Sequence, residues 1–310
     1  MIGLYLIHGA PDIYFTPFIS LGQIMRYGVH SWLWTTRFRE ENLILFDKVY
    51  RMGYDGIEIH LEHLELLPIS GIKRKMHETG LSCTFSVGLT EDKNVSSPFK
   101  AIRERGINFL KEAIEIVAEL EGDVICGVMY AAWGGANPMM RKFEEYKHAI
   151  ESLQILANHA EKHGIVLALE PIHRFTGHMI NTADEMAAFI AEINHKNVKM
   201  LLDTFHMNIE ENNLCEPFKK YSHLVYHVHL NENHRGMPGT GTMPWKEIFK
   251  TLKEIGYNRW LVYETFSHDV LLKEFGYVPR NIAMWRRLIT DSDYVAQQAL
   301  NFFKEIENMI

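Results

Sequence analysis

Basic residues are in the minority: 32 Lys and Arg stand against 39 Asp and Glu, a formal net charge of −7. That balance leaves no basic face of the kind a nucleic-acid binder needs. Cysteine is scarce. Cys83, Cys126 and Cys215 lie far apart without metal-ligand spacing, so they read as three free thiols of a reducing, cytoplasmic compartment. No run is long and apolar enough to span a bilayer. Near the start, Ile2-Gly-Leu-Tyr-Leu-Ile7 is apolar, but the first basic residue is Arg26, so the charged opening of a secretory signal is missing. A phosphate-gripping glycine loop is lacking too. Pro238-Gly-Thr-Gly241 has neither the lysine nor the strand–turn–helix setting of one. What remains is a protein for a small, unphosphorylated molecule, with no nucleic-acid or membrane partner.

The chain has 310 residues and is 47% hydrophobic, enough for one large domain. Residues 1–24 read as an N-terminal extension, and Met25 is a candidate natural start. Residues 25–310 form the domain, in which strand-like and helix-like segments alternate. Strands are expected at 27–33, 56–60, 81–87 and 123–129, and four more end at Glu170, Asp203, His229 and Glu264. Helices are expected at 40–52, 69–79, 99–121 and 141–163, then from the Thr182/Glu185 capping box, from about 210, from 244 to Gly256, and over 280–309. Eight strands, each followed by a helix, give a single (β/α)8 TIM barrel with a short extension.

The last four strands carry the chemistry. Ile165-Val-Leu-Ala-Leu-Glu170, Val198-Lys-Met-Leu-Leu-Asp203, Leu224-Val-Tyr-His-Val-His229 and Trp260-Leu-Val-Tyr-Glu264 are short apolar runs, as buried parallel strands are. Each stops at a residue that binds divalent metals. Barrel active sites form at the carboxyl ends of the strands, so one metal site is expected there. One imidazole and three carboxylates suit Mn²⁺, Mg²⁺ or Co²⁺ better than structural Zn²⁺. Such an ion polarises a carbonyl. Glu170 and Glu264, ending strands 5 and 8, then suit proton transfer on opposite faces of the neighbouring carbon.

The sequence resembles the D-tagatose 3-epimerase family, which includes the D-psicose (allulose) 3-epimerases, within the xylose-isomerase-like barrels. The likeness rests on Leu169-Glu-Pro-Ile-His-Arg-Phe175, Leu202-Asp-Thr-Phe-His-Met-Asn-Ile-Glu-Glu211, His227-Val-His-Leu-Asn-Glu-Asn-His-Arg235, Pro238-Gly-Thr-Gly241 and Val262-Tyr-Glu-Thr-Phe266. Tyr130-Ala-Ala-Trp133 fits as well. The resemblance implies a homodimer or homotetramer using Mn²⁺ or Co²⁺, held by Glu170, Asp203, His229 and Glu264. It implies that both glutamates move the proton through an enediolate. It also implies that His206 and Arg235 hold the ketose oxygens near C1 and C2. One departure stands out. Where the family often has a second glutamate after the Arg-Phe pair, this chain has Thr176, with His173 where asparagine is common. A threonine offers a weaker, neutral hydrogen bond and more room. Gly177-His-Met-Ile-Asn-Thr182 and Asn231-Glu-Asn-His-Arg235 also resemble relatives that epimerise 3-keto-glycosides.

Trp32, Trp34, Trp133 and Phe175 are candidates for an apolar wall over the sugar. Glu58, ending strand 2 with His60, is a candidate for reaching the site or a supporting layer behind it. An ion pair with Glu232 is the competing use of Arg235. The leading function is a metal-dependent ketose 3-epimerase acting on a sugar of the D-tagatose, D-fructose or D-psicose type. The alternatives are a 3-keto-glycoside epimerase or an aldose–ketose isomerase on the same metal site. A phosphodiesterase like endonuclease IV would need several histidine-rich zinc sites and a basic groove, and neither is visible.

Overall fold

The computed structural model describes residues 25–134, 143–282 and 284–310. The expected extension at 1–24 lies outside them. Eight parallel strands close into a barrel in sequence order. They are β1 (Arg26–His30), β2 (Gly56–His60), β3 (Ser82–Leu89), β4 (Val124–Ala132), β5 (Val166–Leu169), β6 (Val198–Asp203), β7 (Val225–Leu230) and β8 (Trp260–Tyr263). All nine residues of β4 are buried, and so are those of β2 and β8. Strands covered on both faces need this near-continuous apolar character.

The helices are α1 (Ile44–Met52), α2 (Ile69–Thr79), α3 (Lys100–Glu119), α4 (Phe143–His163), α5 (Ala183–Ile193), α6 (Thr204–Glu210), α7 (Glu216–Lys220), α8 (Trp245–Glu254), α9 (His268–Phe275) and α10 (Ser292–Asn308). Gly53 and Gly80 stop α1 and α2 at positive φ (86° and 74°), a left-handed cap that glycine adopts without strain. The Thr182/Glu185 capping box opens α5: Glu185 N donates to Thr182 Oγ1 at 3.2 Å.

Strand β4 runs to Ala132, three residues past the expected 129, and three further boundaries differ from the sequence reading. The first strand ends at His30, not at 33, because the His30 side chain accepts from Trp32 N and turns the chain into a 3-10 turn, Ser31–Leu33. After β6 the helix starts at once, at Thr204, and stops at Glu210; α7 follows separately. The expected helix over 280–309 is in fact a 3-10 turn, Arg280–Ile282, and then α10, with α9 ahead of both.

Strand register sets the site. Asp203 pairs with His229 across β6 and β7, and His229 with Val262 on β8. Glu58 pairs with both His30 and Thr84. Side chains on neighbouring strands thereby stack in layers along the barrel axis.

Candidate active site

Glu170 directly follows β5, and its N–H donates to Gly127 O at 3.1 Å. Glu264 directly follows β8. With Asp203 and His229 they meet at the carboxyl end of the barrel. Donor atoms of Glu170, Asp203 and His229 lie within 4.8 Å of one another. Glu264 Oε1 is 3.6 Å from His229 Nδ1. Asn231, just past β7, ties the set together. Its amide donates to both oxygens of Asp203 at 3.1 Å and to Glu264 Oε2 at 3.2 Å. Sequence reading quoted Asn231 within a motif but gave it no role.

Buried carboxylates this close repel. Burial pushes the Glu170 carboxyl well above its ordinary range, and Glu264 and Asp203 push it further. Burial, with Glu264 adding, pushes Asp203 up to about 6. Arg235 Nη2 comes no nearer to Glu264 than 4.0 Å. His229 Nδ1 is buried without a hydrogen-bond partner and faces these carboxylates. An orphaned ring nitrogen among crowded carboxylates is a donor set lacking only a cation. The residues present therefore fit a divalent ion, and their oxygen-rich chemistry is that of a hard one.

Beneath the ligands lies a hydrogen-bonded layer centred on Glu58, which is fully buried. Its Oε1 is 2.8 Å from His229 Nε2. Oε2 accepts from Thr84 Oγ1 at 2.8 Å. His227 Nε2 is equally close to Oε2 but off the hydrogen-bonding direction. Burial alone would raise the Glu58 carboxyl, but His229 and His227 outweigh it and hold it well below its ordinary range. The Cys126 thiol lies 3.6 Å from Oε2, and burial pushes its pKa well up. Ligand-type atoms of Glu58, Cys126, His227 and His229 lie within 4.8 Å of one another, and the hydrogen bond from Glu58 orients His229. Glu58 thus lies behind His229, away from the cavity. His60, by contrast, lines the cavity.

The cavity face carries Glu170 and Glu264, each 7% exposed, whereas Asp203 is 1% exposed and lies below. His206 sits on α6. Its Nδ1 accepts from His173 N at 3.0 Å, so the ring proton is on Nε2. Nε2 is 3.6 Å from Glu170 Oε1. Burial, aided by Arg235, holds His206 well below its ordinary pKa and keeps it neutral. Arg235 has φ 59°, a left-handed backbone that side-chain-bearing residues rarely adopt. Its N–H donates to Glu232 O, and Thr265 Oγ1 donates to its carbonyl. The guanidinium lies over Phe205 and Phe266 (4.1 and 5.0 Å to the ring centres). Nη1 donates to Ile282 O at 2.8 Å. The Glu232 carboxylate does not pair with it. Glu232 accepts instead from Gly239 N, Met243 N and Trp245 Nε1, and so clamps the loop after β7.

Of the aromatic candidates, Trp32 and Trp133 stack at 5.6 Å and line the cavity. Trp34 does not. The 3-10 turn after β1 sends it outward, where Nε1 donates to Asp293 at 2.6 Å. Phe175 is 65% exposed and lies off the cavity beside His173. Thr176 is buried, with its hydroxyl 3.4 Å from His173 Nδ1 and 3.3 Å from His173 O. It is turned inward, so the neutral contact expected of it is absent from the cavity wall.

The profile of the xylose isomerase-like TIM barrel family matches residues 46–306. The chain belongs to that family. Within it, the likeness runs to the ketose 3-epimerases. A D-psicose 3-epimerase from Ruminiclostridium cellulolyticum is 31% identical over 91% of this chain and 98% of its own. A D-allulose 3-epimerase from Methylomonas sp., solved in complex with D-allulose, superposes with a TM-score of 0.85 at 32% identity, covering 91% of this chain and 97% of that one. A 3-dehydro-D-guloside 4-epimerase from Escherichia coli is 35% identical over 73% of this chain and 88% of its own. Members of the group are isomerases, and this chain is one. No helix among the described residues is long and apolar enough to cross a membrane.

Proposed function

We propose that this isomerase is a divalent-metal-dependent epimerase that inverts the carbon beside the carbonyl of an unphosphorylated keto sugar, first of all a ketose at C3. One observation carries the reading: two glutamates, Glu170 and Glu264, face the same cavity from β5 and β8, while the remaining carboxylate, Asp203, sits deeper. Inversion needs a base on each face of the reacting carbon; isomerisation along the chain needs one. A divalent ion held by Glu170, Asp203, His229 and Glu264, with Mn²⁺ the leading choice and Co²⁺ or Mg²⁺ next, would supply Lewis-acid polarisation of the carbonyl. One glutamate removes the proton, and the C–H electron pair moves into the carbonyl. The other returns a proton on the opposite face. Arg235 and His206 donate to the sugar oxygens on which negative charge gathers. Trp133 supports the sugar's apolar face. The resemblance further supports a homodimer or homotetramer, and the free thiols a cytoplasmic setting.

A second substrate, a 3-keto-glycoside, is favoured by one feature. Thr176 is turned away from the cavity, and the 35%-identical relative is named for such a substrate. The proton chemistry is the same. Solvent exchange tests the reading. Metal-stripped protein reloaded with Mn²⁺ is incubated in D₂O with D-tagatose, D-fructose and D-psicose and followed by NMR. Deuterium at C3 together with the C3 epimer supports the ketose reading. Deuterium at C1 without epimer would replace it with aldose–ketose isomerisation.

A further inference from the structure

The cleft continues past the four ligands. The inner chamber, walled by Glu170, His206, His229 and Glu264, encloses about 20 Å³, room for about one ion or water. A second chamber of about 160 Å³ adjoins it. Trp32, His60, Gly88 and Trp133 belong to both walls. The stacked tryptophans therefore lead from one chamber into the other.

The outer chamber has the chemistry of a sugar site. Phe275 and Tyr277, 6.3 Å apart, add aromatic surface to the tryptophans in the same wall, and the C–H face of a pyranose packs on such rings. Glu62, Thr90 and Asn281 supply polar groups for hydroxyls. No Lys or Arg lines the chamber among the described residues, so a phosphate entering it would meet no cation. The wall is also tied to the catalytic groups. Ile282, on its rim, accepts the Arg235 Nη1 hydrogen bond through its carbonyl.

We propose that the outer chamber is a second sugar subsite, and that the substrate is a keto sugar carrying a neutral glycosyl substituent. The keto end meets the ligands at the mouth of the inner chamber, and the substituent lies in the outer chamber against Trp133 and Tyr277. This rests on the epimerase reading above and narrows its substrate class.

The test uses matched pairs with Mn²⁺-loaded enzyme in D₂O. One pair is D-fructose and isomaltulose, which share the fructose unit. The other is a 3-keto-glucopyranoside bearing either methyl or glucosyl at C1. The expected result is a kcat/KM at least about tenfold higher for the glycosylated member of one pair. Tyr277→Ala, and independently Thr90→Phe to fill the chamber, would each lower that preference about tenfold. Equal or better turnover of the smaller members, unmoved by either substitution, would overturn the subsite and leave the epimerase standing. Absence of exchange in all four compounds, with metal bound, would overturn both.

Discussion

Replacing Glu58 by Gln removes one charge and almost no volume, and its effect should appear in metal affinity. Glu58 makes no contact with the cavity. It acts on His229, whose Nε2 is 2.8 Å from Oε1, leaving Nδ1 aimed at the carboxylates. A carboxylate behind a ligating imidazole fixes its tautomer and ring angle and raises its basicity. The glutamine oxygen can still accept from Nε2, and Thr84 can reverse its hydroxyl to meet the new amide. The hydrogen bond loses its charge assistance, roughly half of its strength. Losing such a partner typically weakens metal binding about 10- to 100-fold, which is about 1.4 to 2.7 kcal/mol. Mn²⁺ titration by calorimetry, with circular dichroism as the check on folding, reads this directly. At saturating Mn²⁺, kcat should recover to within a few fold. A folded Glu58→Gln protein that binds Mn²⁺ within threefold of the parent would refute the argument, and the Glu58 layer would then be core packing alone.

Arg235→Lys keeps the charge but loses the planar fork that reaches Ile282 O and covers Phe205. We expect kcat/KM to fall about 10²- to 10³-fold with Mn²⁺ affinity unchanged; an equal loss in both would mean that Arg235 shapes the metal set. Glu170→Gln and Glu264→Gln should each abolish interconversion, with kcat down by at least about 10²-fold. At saturating metal, either variant should exchange deuterium into one epimer only, and NMR showing exchange into both would break the two-base scheme. Metal-free protein should lose stability as pH rises from about 4 to 6. Burial lifts Asp203 from the ordinary 3.8 to about 6, so between those values the folded state holds a proton that the unfolded state has released. Glu170, raised for the same reason, adds in the same direction, so denaturant melts in EDTA should show the loss in the parent and a smaller one in Asp203→Asn; an equal loss in both would refute the assignment to Asp203.

The four metal-site candidates were legible because each closes an apolar run. Strand ends are where a barrel exposes chemistry, so position in the pattern and position in space coincide. His206 and Arg235 followed from motif resemblance. Asn231 does not yield its role to sequence, and Glu58 shows there only as a candidate to reach the site or to support it from behind. Glu58 sits inside β2 as one polar residue among buried ones, and its partner His229 is 171 positions away. Asn231 bridges two strands that meet only in the closed barrel. Trp34, a weaker candidate than Trp133 in the sequence, leaves the cavity because a 3-10 turn over Ser31–Leu33, invisible to an alternating pattern, carries it outward. The region after β8 was read as one late helix, although α9 and a 3-10 turn precede α10. There the helices are short and the segment between them is irregular, so helical periodicity has little length over which to show.

Asp203 also caps a helix. Its Oδ1 accepts from Phe205 N at 2.8 Å, closing the first turn of α6, the helix that carries His206. Two filters therefore act on a single codon. Helix capping admits Asp, Asn, Ser or Thr; binding a hard cation through an anionic oxygen admits Asp or Glu. Aspartate alone passes both. Any evolutionary route that trades this ligand for another must rebuild the start of α6 at the same step, which makes position 203 harder to drift through than either glutamate.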